Sequence, residues 1–476
     1  MAAWCIWLTV MLAAYIAQIG AVFIMEHRRP AQLTAWLLLV FICPFIGFAA
    51  YLLLAKHFTN RRRIERFKHE AVQRANQMSE QIGSLTDIGN KHIERQEKLY
   101  AMLQGLAPFP ITRRNKVKVL TNGHDTYEAI LEQLEQASHH IHMDYYTIRA
   151  DEIGNRFLEV LTRKAREGVE VRVVYDGIGS LSLSQAYIAE LNHAGVKTSC
   201  FLPPRLAFYD RRLNYRNHRK IVVVDGRVGF IGGINIGDEY VGKDPKLGFW
   251  RDTHLRLEGD SVYYLQELFM NDWAFAAKEE LGGKAYMPPH TCDGEERVLI
   301  VSSKPGKHDQ KIAEVMFAAI TGASSRIFIT TPYFIPDASL LMGLRTAALS
   351  GVDVRLIIPG LGDSKLVLLA TLSYVQDLLE AGAKVYRYQK GFVHAKVMII
   401  DHMLASVGTA NVDMRSLYCN FELNAVLFDE RTINRLEADF MEDLQHSDQL
   451  ELTAFRQRPN RQKWAESLLH MLSPLL

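Results

Sequence analysis

The sequence predicts an α/β protein: a duplicated domain of two lobes, each a mixed β-sheet flanked by helices, preceded by a two-helix transmembrane hairpin. Three observations predict it. Two long runs near the amino terminus carry no charged side chain. From about residue 115, short β-branched runs alternate with amphipathic stretches. Several segments of the first half recur in the second.

Ala2–Met25 and Ala31–Ala55 contain no Asp, Glu, Lys or Arg, and each exceeds the ~20 residues a helix needs to cross the hydrocarbon core. Glu26-His27-Arg28-Arg29-Pro30 forms a short polar turn between them, and Trp4, Trp7, Trp36 and Tyr51 lie near the expected interfaces. A cleaved signal peptide fits poorly, because no basic segment precedes the first run and a second run follows at once. Lys56, Arg61, Arg62, Arg63, Arg66 and Lys68 follow the second run, against Arg28 and Arg29 in the turn. That asymmetry places the rest of the chain on the cytoplasmic side. The same cluster also suits anionic headgroups.

The chain has 476 residues, 48% of them apolar, with a formal charge of +2. Such a balance argues against a strongly basic nucleic-acid binder. The five cysteines are scattered and include no C-x-x-C, so neither a disulfide framework nor a zinc site is expected. Residues 1–56 are the two membrane helices and 57–112 a helical linker ending near Pro108 and Pro110. The lobes are 113–288 and 289–445, and 446–476 is an amphipathic tail. In that tail Arg458, Arg461, Lys463 and Trp464 accompany Leu468, Leu469, Met471 and Leu472. This suits either a helix lying on anionic lipid or one packed on the lobes.

The duplication is read from matched segments. Ala137-Ser138-His139-His140-Ile141 corresponds to Ala323-Ser324-Ser325-Arg326-Ile327, and Gly168-Val169-Glu170-Val171-Arg172 to Gly351-Val352-Asp353-Val354-Arg355. The period is far too long for a solenoid, so two similar lobes facing across a pseudo-twofold cleft are expected.

The chemistry lies in a second matched pair. His218-Arg219-Lys220 is followed by Asp225 and, after Gly232-Gly233, by Asn235; His394-Ala395-Lys396 is followed by Asp401 and, after Gly408-Thr409, by Asn411. Offsets from His are two, seven and seventeen in both copies. Two-residue spacing on a strand puts His and Lys on one face. A histidine beside a lysine ammonium makes a phosphate site with a nucleophile or proton donor next to fixed positive charge. The glycines permit close backbone approach and the Asn supplies an amide donor. One such motif is weak; two at matched positions in a duplicated domain leave little room for chance.

The pair resembles the HKD signature of the phospholipase D superfamily, over about residues 115–445. Leu213–Lys220, Ile231–Tyr240, Trp250–His254, Gly408–Ser416 and the two-helix anchor look like bacterial cardiolipin synthases of the A type. The resemblance implies a phospholipase D-like fold in the inner membrane of a bacterium. It implies that one histidine attacks a phospholipid phosphorus and forms a phosphohistidine while the other protonates the departing alcohol; analogy favours His218 as the attacker. It further implies phosphatidylglycerol as donor and acceptor, cardiolipin and glycerol as products, Lys220 and Lys396 on the phosphoryl oxygens with Asn235 and Asn411 assisting, and neither metal nor other cofactor. Hydrolysis to phosphatidic acid, a membrane-tethered nuclease and an inactive lipid-binding scaffold are the competing readings. The lipid anchor and near-neutral charge count against nucleic acid, and two intact motifs against the scaffold.

Asp225 and Asp401 are expected to fix local structure more than to touch phosphate. Glu422 and Asp252 each follow an Asn on an apolar strand, where a carboxylate would hold the second nitrogen of its own half's motif histidine and fix the tautomer. Asp252 is the weaker case, since it lies six residues further from His218 than Glu422 does from His394. His139, His140 and His142 lack a completing ligand set for a metal. Tyr145-Tyr146 and Tyr333-Phe334 are candidates to line the cleft or to pack in the core. Gly360–Lys365 fails the phosphate-loop spacing and reads as a βα turn.

Overall fold

The computed structural model describes residues 2–26, 30–55, 94–204, 214–306 and 309–475. The first apolar run is one helix, Ala2–Glu26, and its Trp4–Glu26 stretch is long and apolar enough to cross a membrane. The second run differs from expectation. It is broken into Pro30–Ile42 and Pro44–Leu54 around Cys43, so one helix among the described residues has spanning length by itself. The cause is Pro44, which lacks an N–H and disfavours helical backbone at the preceding residue. The three pieces pack through Val22, Trp36, Val40 and Tyr51. The hairpin turn arginines and the basic cluster 56–68 lie outside the described residues.

The expected linker is partly a lobe element. Within it, Glu94–Leu106 is a helix whose Leu99 and Leu103 enter the core of the second lobe. Thr112 then exchanges backbone hydrogen bonds with Val298 at 2.9 and 3.1 Å.

Each lobe is a mixed sheet. In the first, β1 (Asn115–Thr121), β2 (His140–Tyr145), β3 (Glu170–Asp176), β4 (Lys197–Phe201), β5 (Lys220–Val224), β6 (Val228–Gly232) and β8 (Thr253–Gly259) are ordered β1-β8-β6-β5-β2-β3-β4. In the second, β9 (Val298–Ser303), β10 (Arg326–Thr330), β12 (Asp353–Pro359), β13 (Lys384–Tyr388), β15 (Val397–Ile400), β16 (Leu404–Gly408) and β18 (Glu422–Leu427) repeat that order. One extra edge strand, β19 (Ser447–Gln449), pairs with β13 and carries the second sheet past residue 445. β2, β3 and β4 run parallel, as do β10, β12 and β13, through helical crossovers. Two short ladders complete the fold: β7 (Phe249–Arg251) with β14 (Gly391–Val393), across the lobes, and β11 (Phe334–Ile335) with β17 (Val412–Asp413).

The sheets meet face to face. On β5, Ile221 and Val223 join Val397, Ile399, Leu423 and Ala425 in a core shared by both lobes, whereas Val222 and Val224 face the first lobe's helices. Both faces are covered, which is why these strands read as unbroken apolar runs. The tail helix Asn460–Leu472 buries Leu469 against the second lobe and leaves Trp464 and Met471 exposed.

Candidate active site

The motif histidines stand just ahead of the strands, not on them: β5 begins at Lys220 and β15 at Val397. The bend lets each lysine reach back to the carbonyl of its own histidine. Lys220 Nζ donates to His218 O at 2.8 Å, and Lys396 Nζ makes the same bond to His394 O. Between them Arg219 forms a buried ion pair with Asp272 at 2.5–2.7 Å, while its counterpart Ala395 enters the shared core. The sequence reading missed this pair, because Asp272 lies on a helix remote in sequence.

The carboxylates do reach the histidines, but each from the opposite lobe, which corrects the expectation of pairing within a half. His218 Nδ1 meets Glu422 Oε2 at 3.0 Å; His394 Nδ1 meets Asp252 Oδ2 at 2.7 Å. The cause is a reciprocal backbone exchange. His218 N donates to Phe421 O at 2.9 Å, and His394 N donates to Arg251 O at 2.7 Å. In each case the accepting residue immediately precedes the carboxylate, so pairing one backbone seats the other lobe's side chain. Arg251, held by Asp443 at 2.9 Å, ties this junction to the helix Glu430–Gln445.

The two pairs differ in chemistry yet match in reach. Glu422 also accepts from Thr409 Oγ1 at 2.6 Å and Asn420 Nδ2 at 3.1 Å. Asp252, one methylene shorter, lies where Gly233 replaces Thr409, and Thr253 N donates to its Oδ1 at 2.8 Å. The preceding glycines serve the sheet: a Cβ on Gly232 would lie 2.4 Å from His254 Nδ1, and one on Gly408 2.3 Å from Asn424 Oδ1.

Asp225 and Asp401 sit at the far ends of their strands. Asp225 accepts from the N–H groups of Ser138, His139 and His140 at 2.8–2.9 Å, and Asp401 from those of Ser324, Ser325 and Arg326 at 2.8–2.9 Å. Each thereby fixes the entry to the neighbouring strand, β2 or β10. Asn235 and Asn411 bond within their own lobes, Asn235 Nδ2 to Tyr240 Oη at 2.8 Å and Asn411 Nδ2 to Ser416 Oγ at 3.3 Å. His140 and His142 share Gln266 as a polar partner at 2.8–3.3 Å. Tyr146 lies edge-on to His218, ring centroids 5.1 Å apart. Tyr333 donates to Asp363.

Burial is the largest influence on the two histidines, the two lysines and the two paired carboxyls. It pushes both histidines down to about 4, with the adjacent lysine lowering each further and the paired carboxylate opposing. It likewise lowers Lys220 to about 7 and Lys396 to about 8. Burial works against ionisation of Glu422 and Asp252, but the paired imidazoles and the lysines hold both carboxyls below their ordinary values. The resting state is therefore a neutral imidazole on an ionised carboxylate. Nδ1–H is donated to the carboxylate and the Nε2 lone pair is left for chemistry. His218 feels the charge of Lys396, and His394 that of Lys220, so the motifs share one electrostatic site.

A doubled α/β sheet fold with one site assembled from two His-x-Lys segments defines the phospholipase D-like class. The profile described as cardiolipin synthase, PLD-like domain, matches residues 130–273 and 316–444. The cardiolipin synthase of Geobacillus thermodenitrificans is 43% identical over 98% of this chain and 93% of its own length, and cardiolipin synthase 2 of Bacillus anthracis 43% over 96% and 89%. In fold, the crystal structure of phosphatidylserine synthase from Haemophilus influenzae aligns with 80% of this chain and all of its own, with a TM-score of 0.62 at 14% identity. The chain belongs to the cardiolipin synthase family. It is a membrane-associated phosphatidyltransferase.

Proposed function

We propose that the chain joins two phosphatidylglycerol molecules into cardiolipin and glycerol through a phosphohistidine. The observation that carries this reading is the pair of crossed contacts, His218–Glu422 and His394–Asp252, which leaves both Nε2 atoms available beside two buried lysines.

In the first step His218 Nε2 attacks the phosphorus of the donor, and the bond from phosphorus to the glycerol headgroup oxygen breaks. His394, which takes up a proton at Nε2 from solvent as the anionic donor binds, gives that proton to the departing oxygen and glycerol leaves. Lys220 and Lys396 take the developing charge on the phosphoryl oxygens, with Asn235 and Asn411 assisting. In the second step a headgroup hydroxyl of another phosphatidylglycerol loses its proton to His394 and attacks phosphorus, and the P–N bond breaks. One phosphodiester replaces another, so the exchange is reversible and consumes no nucleotide. Asp225 and Asp401 hold the fold of the motif and do not contact substrate.

The lobes are proposed to lie on the cytoplasmic side of the inner membrane behind a two-pass anchor. The excess of Lys and Arg after residue 55 supports that orientation. The test is purified protein given phosphatidylglycerol alone, with products read by mass spectrometry. Cardiolipin with glycerol is expected; phosphatidic acid as the sole lipid product would overturn the reading in favour of hydrolysis.

A further inference from the structure

The carboxy-terminal helix Asn460–Leu472 has two faces, and the second lobe accounts for one of them. On that face Leu469 enters the lobe core, and Glu466 pairs with Arg458 at 2.7 Å and accepts from Gln462 at 2.8 Å. The ring of His470 lies 4.4 Å from that of Tyr374 on the helix Lys365–Glu380, and Ser473 Oγ meets the Tyr374 hydroxyl at 2.6 Å. On the other face Trp464, Leu468 and Met471 are 77%, 45% and 46% exposed. Steps of four and then three residues line these three up on one side of the helix, opposite Glu466 and Leu469.

Two further observations say what covers that bare side. The first is where the helix leads. Leu475, just beyond its end, packs against the cluster of Val22, Trp36, Val40 and Tyr51 that joins Ala2–Glu26 to the two shorter apolar pieces. The helix itself also touches Pro30–Ile42. The stripe therefore runs up to the part of the chain that has membrane-spanning length. The second is charge. Arg456 and Arg458 are paired with Glu380 and Glu466 at 2.7 Å, but among the described residues neither Arg461 nor Lys463 has a carboxylate partner. By helical spacing these two flank the stripe, one on each side of Trp464. A tryptophan between free cations, above an apolar stripe, is the composition of a helix lying in a headgroup layer.

We propose that Asn460–Leu472 lies in the headgroup layer of an anionic bilayer, where Trp464, Leu468 and Met471 insert and Arg461 and Lys463 meet the anionic headgroups. The helix is then held on one face by the second lobe and on the other by lipid. Long basic side chains can keep their charge at headgroup level while their stems cover apolar surface. The spanning helix and the tail together fix the second lobe against the surface in which its phospholipids lie. The proposal rests on membrane association and not on the transfer reaction.

The test uses the full-length protein in phosphatidylglycerol nanodiscs, in which both faces of the bilayer meet the medium. The emission of Trp464 is read as the difference between the wild type and Trp464→Phe, a change at an exposed site that leaves the lobes folded. Bromines placed high on the lipid acyl chains are expected to remove roughly half of that emission or more, and aqueous acrylamide little of it. Quenching by acrylamide and not by the bromines overturns the proposal, because the stripe then faces water. Protection from both quenchers overturns it too, because a protein surface such as a second copy of the chain then covers the stripe. Replacing the lipid by phosphatidylcholine tests the cations. Bromine quenching is expected to fall roughly twofold, and an unchanged value overturns the contact of Arg461 and Lys463 with anionic headgroups.

Discussion

Gly233 makes room for Asp252: a Cβ at position 233 would stand 2.1 Å from the Asp252 Oδ1 atom that lies in its path. The glycine of the first lobe and the threonine of the second, Thr409, are therefore matched to an aspartate and a glutamate that differ by one methylene. Gly233→Ala is expected to displace Asp252 from His394 and lower kcat roughly 10–100-fold, with binding of substrate largely kept. Steady-state kinetics on vesicles would check this, and an unaltered kcat would mean that the contact at Asp252 is not limiting.

The crossed pairing predicts which double substitutions interact. Glu422→Gln and Asp252→Asn should each lower kcat roughly 10²–10⁴-fold by losing the charge that orients and stabilises the imidazole. Glu422→Gln added to His218→Ala should cost little more, and so should Asp252→Asn added to His394→Ala. Residues that act as one unit are not additive. If the strong coupling instead joins His218 to Asp252, each half works alone and the crossed arrangement is wrong.

The two histidines should separate when the leaving group needs no proton. With a phosphodiester bearing a nitrophenolate, His218→Ala should give no burst of product. His394→Ala should give a burst and then stall with lipid attached to the protein, detectable by intact-mass spectrometry. The opposite pattern would exchange their roles.

The pH dependence follows from the lowered values. With both histidines titrating near 4, the resting enzyme at pH 7 carries both imidazoles neutral, one proton short of a nucleophile–acid pair. Binding an anionic phosphate raises the affinity for that proton, so uptake of about one proton should accompany binding of a non-reacting phosphodiester near neutral pH. Calorimetry in buffers of different ionisation enthalpy would measure it. On the alkaline side, Lys220 and Lys396 lose charge as pH rises through about 7 and about 8. Hence kcat/KM, which reports the free enzyme, should fall there, while kcat holds to higher pH because bound phosphate restores the ammonium charge.

Asp225 should affect stability and spare the chemistry. It has φ 53° and is followed by Gly226 at φ 64°, the left-handed pair of a tight hairpin turn. Asn tolerates that backbone as well as Asp does, so Asp225→Asn removes mainly the charge that the three N–H groups of the β2 entry donate to. A loss of ~1–3 kcal/mol in denaturant unfolding is expected, with kcat per folded molecule within about twofold of wild type. A collapse of kcat at full stability would place Asp225 in the reaction.

Much of this architecture could be read from residue order. The apolar runs from Lys220 and Lys396 onward, and the matched βα segments, carry a periodicity that both sheets obey, and the repeat of seven strand positions follows from it. What residue order hid is pairing between distant segments. Nothing local to Glu422 says that Phe421 will accept from His218, because the exchange is decided by how two sheets dock through Ile221, Val223, Ile399 and Ala425. The spacing of 28 residues from His394 to Glu422 against 34 from His218 to Asp252 looked like a flaw in the repeat only while each carboxylate was assigned to its own half. Ion pairs such as Arg219–Asp272 were hidden for the same reason. The break at Pro44 was visible as a proline in an apolar run, and its effect on helix length follows from the missing N–H.

The crossed contacts also give the molecule an order of events during its own synthesis. The apolar helix Ala2–Glu26 leaves the ribosome before the first lobe, and the first lobe before the second. At that stage His218 has no carboxylate and Asp252 no imidazole. A lone first lobe therefore lacks the carboxylate that orients His218, and on the proposed mechanism it cannot begin to open phospholipids to water. The bond-exchanging centre comes into being only once Glu422 has been made and docked, so chains truncated anywhere before it are expected to be harmless to the membrane that holds them.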